Sequence, residues 1–249
     1  MPLSVKSLRS PRQIALAISV AVYFVLWLGG VGQHLFESPA RKEHDWIASL
    51  FLLLAGLVVL LGARPARDLV TLLGIAALGF AIEVIGVRTG LPFGAYSYTA
   101  VLQPQLFGVP IVMAFAWMVL VAGIKQTLQG FGLARWLEAL LGALWMTAVD
   151  LVIDPLAANL FGYWHWPAAG NYYGIPVSNF VGWFLASLLV FALLDVRWKP
   201  NDWSRWTGLS IVLFFTLIAL AHQIFLVGLI GLGLCGMQIR FASGLVRKN

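Results

Sequence analysis

The chain has 249 residues, of which 61% are hydrophobic and only 10% are charged, and its mean hydropathy is +0.89. These values lie far outside the range of soluble domains of this length, so they exclude a soluble enzyme and indicate a polytopic membrane protein. The net charge of +6 comes from a few Lys and Arg residues in the short connections between apolar runs, which argues against a nucleic-acid-binding surface.

Seven apolar runs are long enough to predict membrane-spanning helices in an all-α bundle. The first run is preceded by Lys6, Arg9 and Arg12, and basic residues before an apolar run also occur in secretory signal peptides. The run is long for a signal peptide and lacks a clear cleavage site, so we interpret it as the first membrane span. The last run is long enough to tilt or break, so an eighth crossing is the alternative. We expect one integral membrane domain over residues 1–249, with its motifs at 83–184. The predicted spans are 14–31, 46–63, 69–87, 109–124, 136–154, 175–194 and 209–234.

The distribution of positive charge predicts the orientation of these spans in the cell membrane. With a cytoplasmic N-terminus, ten basic residues lie on the inner side and six on the outer side, which agrees with the positive-inside rule. The basic C-terminal tail opposes this orientation, and an eighth crossing would remove the conflict. The inner residues are Lys6, Arg9, Arg12, Arg64, Arg67, Lys125, Arg135, Arg197, Lys199 and Arg205; the outer ones are Arg41, Lys42, Arg88, Arg240, Arg247 and Lys248.

Polar side chains in three of the spans are predicted to meet in one layer. Glu83 and Asp150 each lie 14 residues into an outward-running span, and Asp154 follows Asp150 on the same helix face. Asn179 lies about 6 Å below the outer face at the start of the next span. Because Pro155 disfavours helical geometry at the preceding residue, we expect the fifth helix to end at Asp154.

Acids within a membrane span are rare, because a charged one costs about 2.5–3.5 kcal/mol. Apolar surroundings disfavour the carboxylate, so a protonated acid that faces a pocket can act as a proton donor. The alternative is structural: the acids could be satisfied by each other, by Arg88 and by Asn179 and so hold the bundle together. The other basic candidates nearby are His165 and His222.

Two aromatic-rich connections, 88–108 and 155–174, are predicted to lie directly above this layer. Trp and Tyr at headgroup level are ordinary features of membrane proteins. Their density around the acids would also suit cation–π stabilisation of a carbocation. Both interpretations remain open for the cluster as a whole, whereas His165 is interpreted as an ordinary loop residue.

Several cofactor sites are disfavoured by the sequence. The Gly231-x-Gly233-x-x-Gly236 pattern lies inside an apolar span with no preceding strand, so helix packing explains it better than dinucleotide binding. Four scattered histidines and the single Cys235 do not make a di-iron cage or a cysteine metal site, and the last span has no Lys for a retinal Schiff base. We therefore expect no metal and no cofactor.

Three motifs in the middle of the chain carry a family resemblance: Gly-Leu-Pro-Phe-Gly-Ala-Tyr-Ser-Tyr at 90–98, Asp-Leu-Val-Ile-Asp-Pro at 150–155, and Tyr-Tyr-Gly-Ile-Pro-Val-Ser-Asn-Phe-Val-Gly-Trp at 172–183. Together they resemble the carotenoid biosynthesis membrane proteins, which include bisanhydrobacterioruberin hydratase and carotenoid 1',2'-hydratases. The resemblance implies addition of water across the terminal double bond of an acyclic C40 or C50 carotenoid end, giving a tertiary alcohol without a redox cofactor.

Hydration of an alkene needs a proton donor, a stabilised tertiary cation and a water held by a base. We expect Asp150 to donate the proton and Asp154 to act as the base, with Glu83 as the alternate donor. Asn179 is expected to position water. The expected partners are a polyene that enters laterally from the lipid, water, membrane lipid and other carotenoid-pathway enzymes, but no nucleic acid. The candidate cation stabilisers are Tyr96, Tyr98, Trp164 and Trp183.

Two other functions fit the same residues. A proton-coupled carrier would use the three acids as a relay, and it predicts acids spread along a path between the two membrane faces. A non-catalytic assembly subunit for other carotenoid enzymes predicts that the acids are dispensable. The clustering of the acids in one leaflet favours the hydratase.

Overall fold

The computed structural model describes residues 10–36, 45–64, 66–194 and 198–246. Within these ranges the chain forms eight α-helices, one 3-10 turn and four strands of two residues each, which confirms the predicted all-α membrane bundle. Five helices (α1, α3, α4, α5 and α7) are long and apolar enough to cross a membrane, and α2, α6 and α8 contain shorter apolar stretches. The helices are α1 (Pro11–Phe36), α2 (Asp45–Gly62), α3 (Ala66–Thr89), α4 (Val112–Leu128), α5 (Arg135–Asn159), α6 (Val177–Leu193), α7 (Asp202–Ala221) and α8 (Phe225–Val246).

The predicted span at 209–234 is two helices, so the eight-helix alternative is the correct one. α7 ends at Ala221 and α8 begins at Phe225, and Gln223 between them adopts a left-handed φ of 59°. α8 then folds back against α7, where Gly231 lies against Thr216. The apolar pattern runs through both helices, so only the polar pair His222–Gln223 marks the break. Seven basic residues of the charge count lie outside the described residues: Lys6, Arg9, Arg41, Lys42, Arg197, Arg247 and Lys248.

α5 does not end at Asp154, and the predicted boundary there is wrong. The helix continues through Pro155 to Asn159. Proline has no backbone N–H, so the carbonyl of Leu151 loses its usual partner one turn earlier in the helix. The hydroxyl of Tyr172 donates to that carbonyl at 3.0 Å and supplies the missing hydrogen bond. A contact from a distant loop therefore allows the helix to pass the proline.

α4 is the central helix of the bundle. It packs against α2, α3, α5 and α7, and most of its length is buried. Glycines permit two of these close approaches: Gly79 of α3 leaves space for the ring of Trp117, and Gly123 faces Gly208 of α7. Bulkier side chains at these positions would push the helices apart.

The loops at 90–111 and 160–176 cover one end of the bundle, which is called the loop end below. Strand β1 (Ser97–Tyr98) in the first loop pairs antiparallel with β4 (Trp164–His165) in the second. Strands β2 (Gln105–Leu106) and β3 (Val109–Pro110) form a small hairpin within the first loop. The β1–β4 pairing places both loops above the helix segments that carry the acids, as the sequence predicts.

The opposite end of the bundle has its own polar contacts. The buried Lys125 of α4 forms an ion pair with Glu138 of α5 and also donates to the carbonyl of Leu194. These contacts tie α4, α5 and α6 together at the end away from the loops.

Candidate functional site

Asp150 and Asp154 form a buried acid pair one turn apart on α5. Their carboxyl groups hydrogen-bond each other. Asn179 of α6 donates from one amide nitrogen to both of them, over 2.9 Å to Asp150 and 2.5 Å to Asp154. Within the described part of the chain, neither acid forms an ion pair with Lys or Arg. A hydrogen bond between two carboxyls requires a proton on one of them, so this geometry can hold one proton between the two acids.

Glu83 of α3 is a second buried carboxyl and has three donors. Tyr96 donates to it over 2.5 Å, Tyr98 over 2.8 Å and Trp117 of α4 over 2.9 Å. Burial, reinforced by the neighbouring Glu83 carboxyl, raises the pKa of both tyrosine phenols far above their usual range. Both hydroxyls therefore keep their protons under ordinary conditions and remain donors to Glu83.

Trp164 connects the acid pair to the Glu83 cluster. Its side chain lies beside the carboxyl of Asp154 and interacts with it. In the β1–β4 ribbon Trp164 is paired with Tyr98, and their rings meet edge to face with centroids 5.7 Å apart. The two carboxyl sites are thus held by neighbouring residues of one ribbon.

An apolar cavity of about 60 Å³, called the acid cavity below, lies beside the acid pair. Among the described residues, Asp150 supplies the only carboxyl in its wall, and the indoles of Trp117 and Trp183 stack with centroids 4.6 Å apart. A carboxyl that faces an apolar, aromatic pocket can deliver a proton to a hydrophobic substrate. The other wall residues are Leu52, Leu102, Met113, Ala116, Leu120, Met146, Val149, Ile153, Tyr163, Trp164, Ile211 and Phe215.

Comparison with known proteins identifies the family to which this site belongs. Residues 45–246 match the family described as "Carotenoid biosynthesis protein". The chain belongs to this family. The resemblance noted from the three motifs is therefore confirmed, and an apolar cavity walled by aromatic side chains agrees with a role in carotenoid biosynthesis.

A relative with a described activity resembles this carotenoid biosynthesis protein over part of its length. The bisanhydrobacterioruberin hydratase of Haloarcula japonica is 34% identical over 154 residues, which cover 57% of the present chain and 49% of the hydratase. The chain thus spans about half the length of the curated relative it matches. No solved structure matches the chain.

In this carotenoid biosynthesis protein the predicted site residues fall into two groups. Asp150, Trp164 and Trp183 line the acid cavity, and Asp154 and Asn179 lie directly behind Asp150. Glu83, Tyr96 and Tyr98 form the separate hydrogen-bonded cluster and do not line the cavity. Asn179, which is expected to position water, donates its amide N–H groups to both acids of the pair.

The basic candidates weighed for the structural alternative contact other groups. The guanidinium of Arg88 lies 5.1 Å from the ring centroid of Phe107. His165 is exposed and lies 3.3 Å from the hydroxyl of Ser97, and His222 lies 3.1 Å from His34. Of the three contacts in the structural alternative, the acids make those with each other and with Asn179, whereas Arg88 lies against Phe107 instead.

Two residues of the site were missed by the sequence reasoning. Trp117 donates to Glu83 and stacks on Trp183, and Tyr172 supports the acid-bearing turn of α5 through Leu151. Trp117 carries a usable signal, because it lies inside a span rather than at headgroup level. The signal for Tyr172 is indirect: Pro155 inside a helix leaves a carbonyl that needs a donor.

Proposed function

We propose that this family member is a carotenoid hydratase of the cell membrane, and that its reaction is carried by the acid pair in a single domain. It adds water across the terminal C1',2' double bond of an acyclic carotenoid end group and gives a tertiary alcohol. The main support is the position of Asp150 in the wall of an apolar aromatic cavity, with a second acid hydrogen-bonded behind it. The name of the Haloarcula japonica relative supports the same reaction class.

The reaction begins with proton transfer from Asp150. The terminal alkene lies in the acid cavity, and the Asp150 proton is delivered to C2', the less substituted carbon. The new C–H bond takes the π electrons and leaves a tertiary cation at C1'. Asp150 becomes a carboxylate whose negative charge lies beside the cation and stabilises it.

Aromatic rings around the cavity stabilise the cation while it exists. Trp164 and the stacked pair Trp117 and Trp183 belong to the cavity wall. The negative face of an indole attracts a cation, and the attraction is strongest where water is excluded. The same apolar wall protects the cation from uncontrolled attack by solvent.

Asp154 then acts as the base for the attacking water. The water oxygen forms a bond to C1', and one water proton passes to Asp154, which Asn179 holds in place. The hydrogen bond between the two carboxyls returns this proton to Asp150 and restores the starting state. The net change is one alkene and one water converted to one alcohol, so the proposed reaction uses no redox cofactor.

Asp150 fits the donor role better than Glu83, the alternate donor. Glu83 has three hydrogen-bond donors directed at its carboxylate and does not line the cavity. Its role in this mechanism is to hold Trp117, Tyr96 and Tyr98. Glu83, Asp150 and Asp154 are buried well inside their helices, and all three lie in the half of the bundle near the loop end. A proton-coupled carrier predicts acids spread from one end of the bundle to the other.

The test is hydration by the purified protein in lipid vesicles, using acyclic C40 and C50 carotenoids as substrates. The reaction is run anaerobically, without nucleotide, in deuterated oxygen-18 water, and product is analysed by mass spectrometry. We expect a tertiary alcohol that gains one solvent oxygen and one solvent hydrogen on the adjacent carbon. A requirement for O₂, or product without solvent oxygen, contradicts the proposal.

A further inference from the structure

The β2–β3 hairpin of the first loop lies beside the last turn of α3. Its two strands are joined by Phe107 and Gly108, which both have a positive φ, of 56° and 81°. A Cβ atom on Gly108 would lie 3.6 Å from Cγ1 of Val87, and the guanidinium of Arg88 lies over the ring of Phe107. The tip of the hairpin is therefore packed against the end of α3 rather than standing free above the bundle.

The first residue of the hairpin tip is unusual for this kind of turn. A two-residue turn with a positive φ at both positions is normally made by Asn-Gly or Asp-Gly, which tolerate the left-handed region. Here the first position is Phe107, whose bulky side chain disfavours that conformation. The Phe107 side chain is 59% exposed, and the neighbouring Leu106 is also exposed. An apolar ring is thus held outward in an unfavourable conformation, which indicates a contact that the described residues do not supply.

The outer face of α3, next to the hairpin tip, is exposed and mostly apolar. Its exposed residues recur every three or four positions, as expected for one face of a helix. Because α3 is long and apolar enough to cross a membrane, this face is expected to contact lipid. Phe107, which lies under the guanidinium of Arg88, continues this surface past the end of the helix. The exposed residues of the face include Val70, Leu73, Ala77, Ala81, Ile85 and Arg88.

Arg88 places a positive charge at the end of this lipid-facing surface. α3 has 24 residues and is about 36 Å long, so its last turn reaches past a hydrocarbon core of about 30 Å to the level of the lipid headgroups. Among the described residues Arg88 forms no ion pair with a carboxylate. A guanidinium stacked on an aromatic ring keeps its N–H donors at its edge, and paired N–H donors suit a phosphate group.

We propose that the hairpin tip and the end of α3 form a phospholipid-binding site, called the anchor patch below, which consists of Ile85, Arg88, Leu106 and Phe107. The lipid phosphate binds the guanidinium of Arg88, and an acyl chain lies against Ile85 and the two hairpin side chains. The occupant is a phospholipid because the patch continues a lipid-facing surface and carries a positive charge. The site anchors the loop that also contains β1, and it does not depend on the hydration reaction.

The depth of the hairpin in the bilayer is measured with a spin label. Leu106→Cys in a Cys235→Ala background is labelled in vesicles that contain phosphatidylglycerol. We expect the label to be relaxed more by O₂, which concentrates in the bilayer, than by a water-soluble nickel chelate, as for a label at Ile85→Cys. A label at the exposed His165→Cys is the aqueous reference. A label at position 106 that matches this reference, or that protein shields from both reagents, would overturn the lipid site.

Phe107→Asn separates the contribution of the ring from the geometry of the turn. Asn-Gly is the preferred sequence for this turn, so the hairpin is expected to fold at least as well as in the parent protein. The ring that lies against Arg88 and meets the lipid is lost. The label at position 106 is therefore expected to shift toward the aqueous reference, and an unchanged depth contradicts the anchor patch.

Arg88→Gln tests the phosphate contact, with lipid binding measured by native mass spectrometry. It is expected to weaken phosphatidylglycerol binding about tenfold or more, as for the loss of a charged hydrogen bond. Binding of digalactosyldiacylglycerol, which has no phosphate, is expected to stay at the parent value. The control is Arg67→Gln, the same change at an exposed position at the opposite end of α3. Equal weakening in the two variants would mean a general attraction of lipid to arginine and would contradict the anchor patch.

Discussion

Tyr172 donates a hydrogen bond to the carbonyl oxygen of Leu151 over 3.0 Å, in place of the backbone donor that Pro155 lacks. Leu151 lies between the two acids of α5, so this contact fixes the helical turn that sets their separation. Burial raises the pKa of the Tyr172 phenol to about 12, which keeps the hydroxyl protonated and donating throughout the range of ordinary assays. Tyr172 is thus a positioning residue that acts through the backbone of the acid-bearing turn.

Tyr172→Phe is expected to lower kcat more than it changes KM, because it loosens the acid pair without altering the acid cavity. The unpaired carbonyl should also destabilise the protein by about 1–3 kcal/mol, measured by thermal unfolding in detergent. The control is Tyr173→Phe, the same chemical change on the neighbouring, exposed ring. Equal kinetic effects of the two substitutions would contradict the positioning role.

Asp150→Asn and Asp154→Asn are each expected to lower turnover by about a hundredfold or more, since an amide keeps the size but cannot supply or accept the proton. Product is measured by liquid chromatography on equal amounts of protein extracted from the membrane. Asp202→Asn provides the control, because Asp202 is exposed, lies away from the acid pair, and its ion pair with Arg205 is open to solvent on the Asp202 side. Near-parental turnover in either buried variant removes that acid from the mechanism, and loss of the protein itself supports a structural role for the pair.

Gly79→Ala is expected to disturb the Glu83 cluster through Trp117. A Cβ atom at position 79 would lie 2.4 Å from Cγ of Trp117, whose indole N–H reaches Glu83 one turn farther along α3. The ring must move, so we expect reduced thermal stability, by about 1–3 kcal/mol, together with reduced turnover. Gly74→Ala is the control on the same helix. It meets nothing within 4 Å and should be neutral or slightly stabilising.

Residues at opposite ends of α5 are expected to face opposite sides of the membrane. Cysteine substitutions at the exposed positions Ala134 and His165, in a Cys235→Ala background, are labelled with an impermeant maleimide in intact cells and in inverted vesicles. We expect His165→Cys to react from outside and Ala134→Cys from the cytoplasm, because the charge count favours a cytoplasmic N-terminus. The reverse pattern contradicts this orientation, and reaction of both positions from one side contradicts the crossing of α5.

A helix could be predicted from the sequence where its existence and its ends depend only on the residues within it. Apolar length identified α1 to α6, but it merged α7 and α8 into one span, because apolar residues continue on both sides of the break at His222–Gln223. The continuation of α5 past Pro155 depends on Tyr172, a partner that local propensity cannot supply. Local rules therefore failed where a distant side chain decides the outcome.

The carboxyls of the site could be predicted for a different reason. An acid inside a membrane span is energetically unfavourable and therefore rare, so each one in the sequence indicates a candidate functional residue. Asn179 was found because its predicted depth matches that of the acids. The depth of Trp117 inside a span marks it as unusual for a Trp, but depth alone does not distinguish a site residue from ordinary core. Its role becomes visible only through the direction of its N–H toward Glu83.

The pairing of β1 with β4, in which Tyr98 lies opposite Trp164, joins the two loops so that they are expected to move together. Tyr98 donates to the carboxyl on α3, and Trp164 lies beside Asp154 and lines the acid cavity together with Asp150 on α5, so a shift of either loop reaches both helices. If only one loop were replaced by that of a homologue, the strand in the new loop would pair with a strand whose side chains do not match it. Chimeras designed to alter this protein should therefore transplant the two loops as a unit.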